Sequence, residues 1–90
     1  MMSEVIVKHL DKNEIIKRGI RTWPVWEKEI SRFDWSYDGV EECLILEGQV
    51  IVETEKGSFS IQKGDFVTFK SGLKCVWDIK KPIKKFYNFP

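Results

Sequence analysis

Histidine is almost absent from this chain: of 90 residues only His9 is one. Transition-metal sites in proteins lean on neutral imidazole, so a centre built from several histidines is excluded. Cysteine is scarce as well. The two present, Cys43 and Cys75, fit a chain whose thiols stay reduced, as they do in the cytoplasm. No apolar run approaches the roughly 18–20 residues that a helix needs to cross a bilayer. The opening residues Met1 to Lys8 lack the apolar core of a signal peptide. Neither sign of charge dominates: 15 Lys and Arg stand against 14 Asp and Glu, a formal net charge of +1. Global electrostatics therefore favour no class of partner. These absences together predict a cytoplasmic protein with neither a membrane nor a nucleic-acid partner.

What the chain does have is glycine at regular intervals between short apolar runs. The stretch from Glu41 to Cys75 sets the pattern. An apolar run over Glu42–Leu46 ends at Glu47-Gly48. Val50-Ile51-Val52 is β-branched, as strands prefer. Lys56-Gly57 marks a tight hairpin between Val52 and Phe59, because glycine reaches positive φ without a Cβ clash. Gln62-Lys63-Gly64-Asp65 reads as the next turn, Phe66–Phe69 as a strand, and Lys70-Ser71-Gly72 as another turn. Strands paced about every eight to twelve residues with turns between them predict an all-β sandwich or barrel.

The flanks read more simply. Glu4–His9 is an edge strand. Asp11 to Glu14 supplies N-cap residues for a short helix over about residues 12–18, stopped by Gly19. Ile20–Trp26 is extended and Glu27–Ser31 is a strand. Arg32–Asp38 alternates, with Phe33, Trp35 and Tyr37 on one face and Asp34, Ser36 and Asp38 on the other. Leu73–Ile79 is a strand that places Cys75 and Trp77 on one face. Lys80-Lys81-Pro82 breaks it, and Ile83–Phe89 is the last strand. The lysines around Pro82 read as an edge strand protected against pairing. There is no repeat, linker or second domain: residues 1–90 form one domain. A chain this short buries only about 60–65% of its unfolded surface. Both faces of Cys43–Leu46 are apolar. A homodimer is expected to cover one of them.

Certain residues carry a resemblance. Glu41 followed after six residues by Gly48 resembles the end of the first cupin motif. Gly64-Asp65, then Gly72 and Cys75, resembles the second. Trp23-Pro24-Val25-Trp26-Glu27, Phe33-Asp34-Trp35 and Gly72-Leu73-Lys74-Cys75-Val76-Trp77 are similar to the small single-domain cupins of the cupin-3 (DUF861) group. That group includes a larger two-domain manganese enzyme, ureidoglycine aminohydrolase. The resemblance implies a cupin fold, a double-stranded β-helix or jelly-roll-like barrel, with one short N-terminal helix. It also implies a divalent metal, Mn, Fe, Ni or Zn, held by three histidines and a glutamate. Glu41 matches the glutamate. The first two histidine positions fall on Asp34 and Ser36, or in the shorter spacing on Trp35 and Tyr37; the third falls on Cys75. With no histidine in place no resident cofactor is expected. A metal, if bound, would fall to Glu41, Cys75 and Asp34, with Cys43 on the face of Glu41.

Candidate chemistry then gathers around the barrel interior. Two readings stand for Glu41: a solvated residue at a strand start, or an inward carboxyl. Burial without a cation would raise the pKa of such a carboxyl and suit it to acid–base work. Trp35, Tyr37 and Trp77 flank the matched motifs. They read either as core or as the walls of a small-molecule pocket with few polar groups. Cys43, in its apolar run, reads as a buried inert thiol. The function expected is the binding of a small polar metabolite by Trp35, Tyr37, Glu41, Cys43 and Trp77. The alternative is a small enzyme, ureidoglycine aminohydrolase-like or an isomerase or lyase. It would use Glu41 as acid or base, with Tyr37 or Cys75 as partner.

Overall fold

The computed structural model describes residues 4–90; the first three, part of the stretch read above as lacking a leader, lie outside the described residues. Seven antiparallel strands follow one another as β1 Val5–Lys8, β2 Val25–Lys28, β3 Ser31–Ser36, β4 Glu41–Thr54, β5 Gly57–Gln62, β6 Phe66–Phe69 and β7 Lys74–Asn88. A helix, α1 Lys12–Lys17, and a 3-10 turn, Ile20–Thr22, precede β2. The fold is all-β, an antiparallel barrel of the kind the glycine spacing predicts, with one short N-terminal helix.

Two long strands organise it. β4 and β7 pair with each other from Glu42 opposite Asn88 to Glu53 opposite Val76. On its other side β4 takes β6 along its first part and β5 along its last. β7 takes β3 along its first part and β2 along its last. Each long strand thus serves two layers in succession, which is how a chain this short closes a core.

Both long strands pass through positions read in the sequence as breaks. Glu47-Gly48 reads in the sequence as the end of an apolar run and Lys80–Pro82 as a strand break, yet β4 and β7 run through both. The strands instead bend together there, with register shifts between Ile45 and Val50. Gly48 has φ +98°, and a Cβ at that position would run into the carbonyl group of Pro82. Proline has no N–H to give to a ladder, so it is tolerated where a bulge suspends pairing. The two sequence breakers face each other across one bulge, and each removes an obstacle for the other.

The N-terminal segment also departs from expectation. Asp11 caps α1 by accepting from the Glu14 N–H at 2.9 Å, and Gly19 follows the helix in the left-handed region at φ 66°. Ile20–Thr22, expected to be extended, winds into the 3-10 turn, held by Thr22 Oγ1 donating to the Gly19 carbonyl at 2.6 Å. β2 ends at Lys28, short of the strand expected to Ser31.

Two apolar clusters result. The barrel interior holds Cys43, Ile45, Val50, Val52, Phe69, Trp77 and their neighbours. On the outside of the sheet Leu44, Phe66 and Phe86 are covered by Leu10, Ile15, Ile20 and Trp23 from the helical segment. The apolar outer face of Cys43–Leu46, the reason to expect a second copy, is therefore met by the chain itself. No helix among the described residues is long and apolar enough to cross a membrane.

Gly48→Ala should cost more than about 2 kcal/mol, since it combines positive φ with a backbone clash. Gly57→Ala is the control: its φ is +128° but nothing lies within 4 Å of the added methyl. Urea denaturation of the two variants should show Gly48→Ala clearly the less stable; equal midpoints would refute the bulge argument.

Candidate functional site

Glu41 opens β4 with its side chain inward and is 3% exposed. Of the two readings left open by the sequence, the inward one holds. Cys43, two residues on, shares its face and is fully buried. Across the ladder, Lys85 on β7 stands opposite Ile45 and is itself only 5% exposed. Its Nζ donates to Glu41 Oε2 at 2.7 Å and approaches Cys43 Sγ at 3.4 Å. The Cys43 thiol donates to the same Oε2 at 2.9 Å. An isolated ammonium or carboxylate this far from water would cost several kcal/mol, so each charge is tolerable only because of the other.

Aromatic rings complete the enclosure. Trp26, directly opposite Lys85 in the β2–β7 ladder, has its ring centroid 4.9 Å from Nζ; that of Trp77 lies 4.7 Å away, and the two rings meet edge to face with centroids 5.8 Å apart, forming a corner around the ammonium. Ring faces carry negative charge density and attract a cation at this range. The Trp77 indole N–H donates to the Tyr37 hydroxyl at 3.2 Å, and Tyr37 stacks on Phe69 with centroids 4.8 Å apart.

Glu41 and Lys85 form the floor of a cavity of about 210 Å³ whose walls are Trp26, Phe33, Trp35, Trp77, Tyr87 and Phe89. Trp35 and Phe89 stand at its rim, 47% and 63% exposed. Glu41 Oε1 accepts no hydrogen bond from any described residue, both of the carboxylate's contacts going to Oε2. Among the described residues no fully buried side-chain oxygen or nitrogen lacks a partner. Oε1 is therefore the atom through which the acid meets the cavity.

The residues expected at the site separate into three groups. Trp35, Glu41 and Trp77 line the cavity. Cys43 and Tyr37 lie behind it, in the core. Burial, with Glu41 adding to it, pushes the Tyr37 hydroxyl well above the ordinary phenol range. Burial pushes the Cys43 thiol up likewise, against the pull of Lys85. Cys75 belongs elsewhere. It borders an open cleft with Asp34, Ser36 and Glu53, and burial pushes its thiol up to about 11. A protonated thiol is a poor nucleophile and a poor ligand.

The metal set Glu41, Cys75 and Asp34 is not assembled. Asp34 is exposed, and among the described residues no group of three or more His, Cys, Asp or Glu side chains comes together. His9 is likewise remote, with Nε2 2.7 Å from Asp65 Oδ1 at the turn before β6.

Lys85 was the residue the sequence reading missed. It was grouped with Lys80, Lys81 and Lys84 as edge protection, whereas Lys80 pairs with Asp78, Lys84 with Glu47, and Lys85 is buried. The signal was available in strand parity: Cys75, Trp77, Ile79, Ile83 and Lys85 alternate inward along one strand. Breaking the strand at Pro82 discarded that parity.

Comparison with known proteins places the chain. The EutQ-like cupin domain of the Cupin_3 family matches residues 17–87. The chain belongs to the EutQ-like cupins. A DUF861 family protein of Thermotoga maritima is similar at 45% identity and TM-score 0.94, over 97% of this chain and 100% of that one. A DUF861 protein of Pseudomonas syringae pv. tomato is 28% identical with TM-score 0.64, over 70% of this chain and 28% of that one. EutQ of Clostridium difficile shares the fold at 18% identity and TM-score 0.67, over 96% of this cupin and 68% of that chain. Comparison with curated proteins gave no match.

Cupins can hold metals, but the residues of this one do not fit a divalent ion. The single inward carboxylate is already neutralised by an ammonium at 2.7 Å. The neighbouring thiol is held in its protonated form by burial. A dication approaching Glu41 would meet the charge of Lys85.

Lys85→Met should cost about 3–5 kcal/mol, because it strands a buried carboxylate. Adding Glu41→Gln should recover most of that loss, a non-additivity that urea denaturation of both single variants and the double variant would read. A second expectation concerns pH. The Cys75 thiol is raised from 9.0 to about 11, so the native state holds this proton more tightly than the unfolded chain. Stability from this group is full below the unfolded value and drains away as pH climbs through the folded one. Cys75→Ser should therefore flatten the decline in the urea midpoint between pH 9 and about 11.

Proposed function

We propose that this cupin binds a small polar metabolite in the aromatic cavity above Glu41 and Lys85. The observation that carries this reading is the open Oε1 of Glu41. It is the accessible oxygen of an otherwise buried carboxylate, without a partner among the described residues, facing a space walled by rings. Apolar walls with a few convergent polar atoms are the usual make-up of a small-molecule site. The ligand contacts run through Glu41, Lys85, Trp26, Trp35 and Trp77. Cys43 and Tyr37 act from behind, by fixing Glu41 and Trp77.

The same oxygen supports a second reading. It is the one atom at the cavity floor placed to take a proton from a bound molecule, with an ammonium beside it. That favours isomerase or lyase chemistry by Glu41 without a metal and without Cys75, which faces the other cleft. Binding without turnover separates the two readings.

Trp35 gives the cleanest test because it is at the rim and contributes little to the core. Trp35→Ala should weaken binding of benzyl alcohol, followed by tryptophan fluorescence, by about ten-fold. It should leave stability within about 0.5 kcal/mol of the parent, as an exposed change does. Unchanged affinity in the variant would place the binding site elsewhere.

A further inference from the structure

The chemistry of the cavity floor narrows the ligand further, and the narrowing rests on the cavity being the binding site. We infer that the site selects a neutral carboxamide or lactam attached to a flat apolar body, and discriminates against carboxylates and amines of the same shape.

Charge is the first argument. Among the described residues, Glu41 and Lys85 are the only ionisable groups lining the cavity besides the phenol of Tyr87, and they neutralise each other at 2.7 Å. A ligand carboxylate would find no spare counter-charge. Taking Lys85 for itself would strand Glu41, and facing Oε1 would set two anions together. A ligand ammonium would have to compete with Lys85 for both the carboxylate and the tryptophan faces, which already hold a cation. Burying either charge without a partner is expensive.

Hydrogen-bond valence is the second. Glu41 offers an acceptor, Oε1, that no described residue uses. The Lys85 ammonium has three donors. One goes to Glu41 at 2.7 Å; among the described residues the others meet only a thiol at 3.4 Å and the faces of Trp26 and Trp77. Thiols and π-faces are weaker acceptors than a carbonyl oxygen. The ion pair therefore presents an open acceptor beside an under-used donor. The complement of that pair is an N–H next to a C=O, the edge of an amide. An alcohol or an ester answers only half of it.

Four probes of one shape test this in the intact protein by titration of the indole N–H signals in NMR: benzamide, benzoate, benzylammonium and benzyl alcohol. Benzamide should bind about ten-fold or more tightly than either charged probe, the usual margin when buried polar groups are left unmatched. Its advantage over benzyl alcohol should vanish in the Glu41→Gln/Lys85→Met double variant. Benzoate or benzylammonium binding as tightly as benzamide would overturn the ligand class and leave the cavity standing as a site. Failure of all four to shift any indole signal would overturn the cavity reading itself.

Discussion

Everything inside this molecule depends on two strands bending at the same point. β4 and β7 are each long enough to run through both layers of the barrel, and they do so because Gly48 lets the backbone of Pro82 approach where a side chain would block it. The bulge keeps the inward–outward alternation of β7 intact on both sides of the proline. That continuity carries Lys85 to the inner face, within reach of Glu41 at the start of the antiparallel partner. Backbone geometry at one crossing thus decides where the charges sit, about 10 Å of chain away for Lys85 and about 23 Å for Glu41.

The charges in turn define the chemistry. A buried ionised acid needs a compensating positive charge, and cupins can take one from a bound metal. Here the compensating charge is a side chain of the same molecule, steadied in the corner of two indole rings that meet edge to face. The thiol of Cys43 adds one hydrogen bond and the hydroxyl of Tyr37 fixes Trp77 from behind. What remains open to a visitor is one carboxylate oxygen within apolar walls.

Much of this was legible in the sequence. Strand pacing by glycine and the hairpin at Lys56-Gly57 follow from local rules that the structure obeys, whereas for Glu41 the sequence left a solvated and an inward position both open and only the fold decides between them. The cap at Asp11 and the left-handed Gly19 follow such rules too. What failed were the places where two local rules cancel. Gly48 and Pro82 each read as punctuation when taken alone, and only their pairing across the ladder reveals a bulge. The same misplaced break hid Lys85, because a lysine beside other lysines looks solvated unless its strand parity is known. The metal set failed for a related reason: shared motif spacing brings Glu41 and Cys75 onto the same barrel but not into the same cavity.

The ammonium beside the two indoles has one more consequence. An ion borrowed from solution can be lost to a chelator, exchanged for a wrong neighbour in the periodic table, or withheld in a starved cell. A positive charge written into the polypeptide is delivered by translation and is in place once folding ends. The occupancy of this position is therefore set by the gene and not by the ionic composition of its surroundings.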